Sequence, residues 1–206
     1  MSATCDNPLN NDEEQKALAI FLQHLGRASA AWSSIEDGLF EWFRLATALD
    51  ERFARAIFYS ARSFEGRRDM LSAAIPFSPC NEKTRTGIRL CIKRARQYSE
   101  FRNRISHGHI FYWVTDPPQH VIGEGRHLAT LMAEQTVVTL EDLKSATINF
   151  QELAYLILGF HPDWQTPAVC EQGCLVEIQA LPSSANSMGP SQTPPQTTQP
   201  PGDPEE

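Results

Sequence analysis

The sequence predicts an all-α protein, a bundle of four or five helices with a small β-hairpin inserted before the last of them. Three observations carry this prediction. Apolar residues recur at intervals of three and four along most of the chain up to Pro162, the spacing of one helix face. Between His109 and Val138 that period gives way to short runs rich in aromatic and β-branched residues, separated by Asp116-Pro117-Pro118. The composition, 41% hydrophobic and 9% aromatic over 206 residues, suits one ordinary domain, alone or followed by a tail.

Taken in order, Leu18, Phe21, Leu22, Leu25, Trp32, Ile35, Leu39, Trp42, Phe43 and Ala46 define one face of a helix from about Asp12 to Ala48, continuous or broken near Gly26. A second helical stretch runs from about Asp50 to Ile75 through Phe53, Ile57, Phe64, Met70, Leu71 and Ala74, with an interruption expected at Gly66 and a stop at Pro76. Ser78-Pro79 reads as the start signal of a third helix, whose apolar side is Ile88, Cys91, Ile92, Ala95, Tyr98, Phe101 and Ile105 and whose end is marked by Gly108. His109 to Thr115 and Arg126 to Val138 are the two strands expected of the hairpin. Thr139-Leu140-Glu141-Asp142 has the form of a capping box opening a final helix up to Pro162.

The organisation read from composition is an N-terminal arm over residues 1–11, a helical domain over 12–165, an extension of unassigned character over 166–180 and a proline-rich tail over 181–206. Seven of the 14 prolines lie between Pro182 and Pro204, among Ser, Thr, Gln and Gly, so that segment is expected to be disordered. Pro194-Pro195 or Pro200-Pro201 would serve a proline-reading adaptor domain, although an inert tail has the same composition. No apolar run approaches the roughly 20 residues of a membrane span. The N-terminus lacks the basic and apolar regions of a secretory signal, and Cys5, Cys80, Cys91, Cys170 and Cys174 show no disulfide-framework spacing. A cytoplasmic protein without a membrane partner is expected.

The third helix is chemically distinct from the rest. With 25 acidic and 18 basic side chains the chain carries a net charge of -7, yet Lys83, Arg85, Arg89, Lys93, Arg94, Arg96, Arg102 and Arg104 fall within 22 positions that contain one acid, Glu100. On a helical wheel Arg85, Arg89, Lys93, Arg96, Glu100, Asn103 and His107 share an arc of about 80°. Such a stripe is either a solvated face or a surface that tracks phosphates by its local positive field. Arg102 lies apart, at about 260° on the same wheel, inside the apolar arc. Glu36 is similarly misplaced on the apolar face of the first helix, so a partly buried Glu36–Arg102 pair is expected, unless each finds another neighbour or reaches solvent. Asn103 and His107, four positions apart, stack on one face at the end of the helix.

The run Phe101-Arg102-Asn103-Arg104-Ile105-Ser106-His107-Gly108 resembles the signature of the HEPN superfamily (higher eukaryotes and prokaryotes nucleotide-binding), an Arg, a polar residue that is often Asn, a short spacer and a His. The helical order and the motif's position late in a long helix are similar too, over residues 12–162. The resemblance implies a metal-independent endoribonuclease, of a type that acts as a toxin or in defence against foreign nucleic acid, with Arg102 and His107 as catalytic residues, Asn103 in support and a site shared across a dimer. Members that bind without cleaving also exist.

The chemistry suits these residue types. RNA carries its own nucleophile in the 2′-hydroxyl, so cleavage needs an acid or base titrating near neutral pH, which histidine is, and a cation on the phosphate oxygens, which an arginine fork supplies. Arg85, Arg89, Lys93 and Arg96 are the candidate RNA-binding residues and Glu36 the supporting acid. No cofactor or metal is expected: Cys170 and Cys174 lack a second ligand pair, His107 and His109 fall on different elements, and there is no phosphate-binding glycine loop or nucleophile elbow. Expected partners are RNA, a second copy of the chain and an antitoxin or regulatory protein. A non-catalytic module binding RNA, nucleotide or protein through the same face stands as the alternative, and a purely structural bundle as a third reading.

Overall fold

The computed structural model describes residues 11–113, 118–123 and 137–160. Residues 1–10, the Asp116-Pro117 turn, most of the run from Arg126, the 166–180 extension, the proline-rich tail, and Cys5, Cys170 and Cys174 lie outside the described residues.

Helix α1 spans Asn11–Thr47 without a break. It opens on Asp12, Glu13 and Glu14, charges that complement the positive end of the helix dipole. Gly26 does not interrupt it: the residue is exposed, nothing lies within 4 Å of where its Cβ would be, and the packed turns on either side outweigh its entropic cost of about 1 kcal/mol. The second helical stretch is two helices, α2 over Glu51–Phe58 and α3 over Phe64–Ala74. The break falls before Gly66 rather than at it, because Ser63 caps the new helix by accepting the Gly66 N–H at 3.1 Å. A 3-10 turn over Ile75–Phe77, with Pro76 inside it, closes this region.

Helix α4 spans Glu82–His107 and is capped by Asn81, whose side chain accepts from the Thr84 N–H at 2.9 Å. The start signal is thus Asn81, not Ser78-Pro79. Ser78 is buried instead, its carbonyl accepting from Arg85 Nη2 at 2.8 Å. Gly108 ends α4 at φ -73°, a conformation open to any residue, so glycine serves a close approach there: a Cβ would strike the Ile122 side chain and sit 2.6 Å from the Arg104 carbonyl.

Two strands follow, β1 over His109–Trp113 and β2 over Gln119–Gly123, antiparallel with His109 opposite Gly123 and Phe111 opposite Val121. The expected hairpin is present, but its second strand precedes the expected run from Arg126. Pairing nearest in sequence costs the least loop entropy, and β2 offers Val121 and Ile122 to the core. Of the expected run, Val138 reaches the sheet, exchanging backbone hydrogen bonds with Ile122 at 2.9 and 2.7 Å. Helix α5, Leu140–Gly159, begins with the expected capping box, Thr139 and Asp142 each bonding the other's backbone N–H.

The architecture is therefore all-α with one small hairpin. The core lies where α1, α4 and α5 meet: Trp32, Tyr98 and Phe101 surround Phe150 with ring centroids 5.3, 5.6 and 6.3 Å away. Emptying such an aromatic position costs about 3–5 kcal/mol, so Phe150 fixes the three helices relative to one another. Along the α1–α5 seam the Trp42 indole N–H donates to the Ile157 carbonyl at 2.8 Å, and Gly38 makes room for Ile157, whose Cγ2 would lie 2.7 Å from a Cβ there. No helix among the described residues is long and apolar enough to cross a membrane.

Candidate active site

The last two turns of α4 place the motif residues. Phe101 and Ile105 are buried and fix the rotation of the helix, which leaves Asn103 and His107 exposed on one side and Arg102 half-buried on another. Arg102 leans over α1: its guanidinium carbon is 6.0 Å from the centre of the Trp32 ring, and Nη2 is 3.8 Å from Glu36 Oε1. Nη1 donates to Asn103 Oδ1 at 3.2 Å. The two charges that the sequence misplaces do come together.

Their relation is looser than a simple pair, because Glu36 has closer partners. The Trp32 indole N–H donates to Oε1 at 2.8 Å, and Arg67 Nη1 from α3 donates to Oε2 at 2.7 Å. Arg67 is itself fixed, with Nε donating to the Ser63 carbonyl at 3.4 Å and its guanidinium carbon 5.6 Å from the Tyr59 ring centre. Sequence reasoning missed Arg67, although a signal was there. It follows Phe64 by three positions and precedes Leu71 by four, so it is a charge beside the apolar arc of its helix, as Arg102 is. The i,i+4 spacing of Trp32 and Glu36 equally announces a partner for the indole N–H.

The cationic stripe divides along its length. At the N-terminal end of α4 Glu82 accepts from Arg89 at 2.7 Å and from Arg85 at 3.4 Å, and the Arg89 hydrogen bond holds the Glu82 carboxyl below its usual range. Arg85 is further committed to the Ser78 carbonyl. Lys93 and Arg96 are exposed and have no acidic partner within 4.0 Å among the described residues. Arg94, counted in the basic run, is buried. The free part of the stripe is thus Lys93, Arg96, Asn103 and His107, with Glu100 exposed among them.

Beneath the end of α4 lies the hairpin. His120 on β2 is buried against Tyr112 and Phe21, with ring centroids 5.0 and 6.2 Å away, and its Nδ1 is buried without a hydrogen-bond partner among the described residues. Burial lowers its pKa, partly opposed by the negative charge of Glu14. Among the described residues no group of three His, Cys, Asp or Glu side chains is arranged to hold a metal ion. Comparison with protein-family models, curated proteins and solved structures finds no match for this chain.

Proposed function

We propose that the chain is an HEPN-like, metal-independent endoribonuclease that cleaves RNA by attack of its 2′-hydroxyl, acting as a toxin or in antiviral defence. One observation carries the reading: Arg102 presents a half-exposed guanidinium with a single hydrogen bond among the described residues, on the same closing turns of α4 as an exposed His107. In this reading Arg102 binds the scissile phosphate and stabilises the charge gathering on its oxygens. His107 moves the proton of the 2′-hydroxyl or of the leaving 5′-oxygen, and Asn103 orients Arg102 through the bond between them. Lys93 and Arg96 would follow the flanking phosphates.

Five positions on a helix separate two side chains by about 140° and about 7.5 Å of rise. Arg102 and His107 of one chain therefore diverge, and a second copy is the simplest way to set both on one phosphate. Aromatic side chains on and after α4 would suit the centre of such an interface, yet Tyr98 and Phe101 are covered by α5 within one chain, and Phe111 and Tyr112 are half-buried. The same divergence favours, as a second reading, a module that binds RNA without cutting it.

The test is incubation of the protein with mixed cellular RNA in a chelator. Cleavage is expected, with loss on His107→Ala and on Arg102→Ala while the helical content of His107→Ala stays at the parent level. Equal cleavage by His107→Ala removes the enzymatic reading. Sedimentation at low and moderate ionic strength checks the dimer, and a monomer at tens of micromolar under both conditions rejects the shared site.

A further inference from the structure

We infer that Trp32, Glu36, Arg67 and Arg102 form a binding site for one singly charged phosphodiester of a nucleic-acid backbone, in which Arg67 is the positioning residue that keeps Arg102 free to take it. The inference deepens the proposed function and rests on its reading of α4 as the nucleic-acid face. It begins with a count of charge. Two guanidiniums, from α3 and α4, meet one carboxylate from α1, and their side chains are 14%, 29% and 16% exposed respectively. No further acid lies within 4.0 Å of either arginine among the described residues, which leaves a surplus of one positive charge in a partly dry setting.

The distances say where that surplus sits. Glu36 spends one oxygen on Arg67 and the other on the Trp32 indole, both below 3 Å, and each of these partners is locked by its own helix. Arg102 is left 3.8 Å from the carboxylate, outside hydrogen-bond range, and among the described residues bonds to Asn103 alone. An arginine has five N–H donors. Among the described residues most of those on Arg102 have no partner, on the most exposed side chain of the three, with the Trp32 ring beneath it. A guanidinium so placed suits a bidentate oxyanion, and a surplus of one charge matches a phosphodiester better than a doubly charged phosphate end.

Arg67 decides whether this state persists. Without it Glu36 Oε2 would lose its closest cation, and Arg102 is the nearest replacement. The guanidinium would then close on Glu36 as a bidentate pair and spend the donors that a phosphate would use. Arg67 thus acts through Glu36 on Arg102, touching no ligand.

The Trp32 ring provides a readout independent of cleavage. The full chain, labelled with 5-fluorotryptophan and with the Trp32 resonance assigned by Trp32→Phe, is titrated by ¹⁹F NMR with a 2′-O-methyl oligonucleotide, which cannot be cleaved. The Trp32 resonance is expected to shift on saturation, and Arg102→Gln to abolish the shift. Arg67→Gln should weaken binding at least tenfold and Arg67→Lys should restore much of it, with thermal melts confirming that each variant is folded. Lys93→Gln and Arg96→Gln should weaken binding while leaving the saturated Trp32 shift in place. Binding without a Trp32 shift, or parent affinity in Arg67→Gln, overturns the inference, as does a shift produced by phosphatidylglycerol vesicles and not by the oligonucleotide. A parent protein that shifts Trp32 but cuts no RNA refutes the ribonuclease and leaves this site standing.

Discussion

At the N-terminal end of α4, Arg85 and Arg89 share Glu82, an acid of their own helix; at the C-terminal end, Arg102 shares Glu36 with Arg67, and the three side chains come from three helices. Each cluster sets two guanidiniums against one carboxylate, but the first is formed by neighbours in sequence and is open to water, so its surplus charge is screened. The second is assembled by packing, is half-buried, and retains a positive charge. Eight basic residues in one run therefore do not make one uniform field. What each arginine can offer a ligand depends on the nearest carboxylate and on how dry the pair is.

The sharpest way to break the comparison is at the reacting atoms. On the proposed ribonuclease reading, His107→Ala should lower RNA cleavage by about 100-fold or more, the usual contribution of a general acid or base, whereas Arg85→Gln should leave the rate at saturating RNA near the parent value. Single-turnover rates with a defined RNA measure both, and an equal loss in the two variants would erase the distinction between the ends.

Stability separates them next. Glu36→Ala leaves two partly buried guanidiniums without their carboxylate and should cost about 2–3 kcal/mol, somewhat under the value for a fully buried pair. Denaturant unfolding measures it. A double-mutant cycle should show stronger coupling of Glu36 to Arg67 than to Arg102, following the 2.7 and 3.8 Å separations. Coupling in the opposite order would mean that the distances misrepresent the pairing.

The support under the C-terminal end should respond to pH. Because burial lowers the His120 pKa in the folded state, the unfolded chain binds the proton more readily between that value and the ordinary 6.5. Stability should therefore fall as pH drops through this window, and His120→Phe should flatten that part of the profile. Thermal melts between pH 7.5 and 5 test the sign, and an unchanged slope in His120→Phe would assign the dependence to other groups.

The smallest effect belongs to the exposed cluster. Glu82→Gln releases Arg89 and in part Arg85, so the dependence of RNA affinity on salt should steepen by roughly one phosphate contact. A binding series at several salt concentrations shows whether the slope moves.

The helices, the capping box at Thr139 and the hairpin were legible because each rests on local rules: periodicity, a cap, a turn. The misread boundaries were local too. Gly66 is a helix-weakening residue in isolation, but Ser63 three positions earlier turns it into a first-turn residue whose N–H is satisfied. At the hairpin, two β-rich runs competed for one partner strand, and pattern alone could not rank Gln119–Gly123 above the run from Arg126. In the site, Arg102 and Glu36 were found because a charge inside an apolar arc is conspicuous in sequence.

By itself, then, the sequence determined the helical class, the order of the elements, the cationic run and the fact that Arg102 and Glu36 each needed a partner. These follow from spacing along one chain, and spacing is what a sequence records. Tertiary structure alone decided that Arg67 stands closest to Glu36, that Arg94 is covered, and that Arg102 keeps most of its donors open among the described residues. Those outcomes depend on which residues of α1, α3, α4 and α5 come within a few ångströms, and the strength of an ion pair changes steeply with separation and with exclusion of water, neither of which is written in the order of the residues.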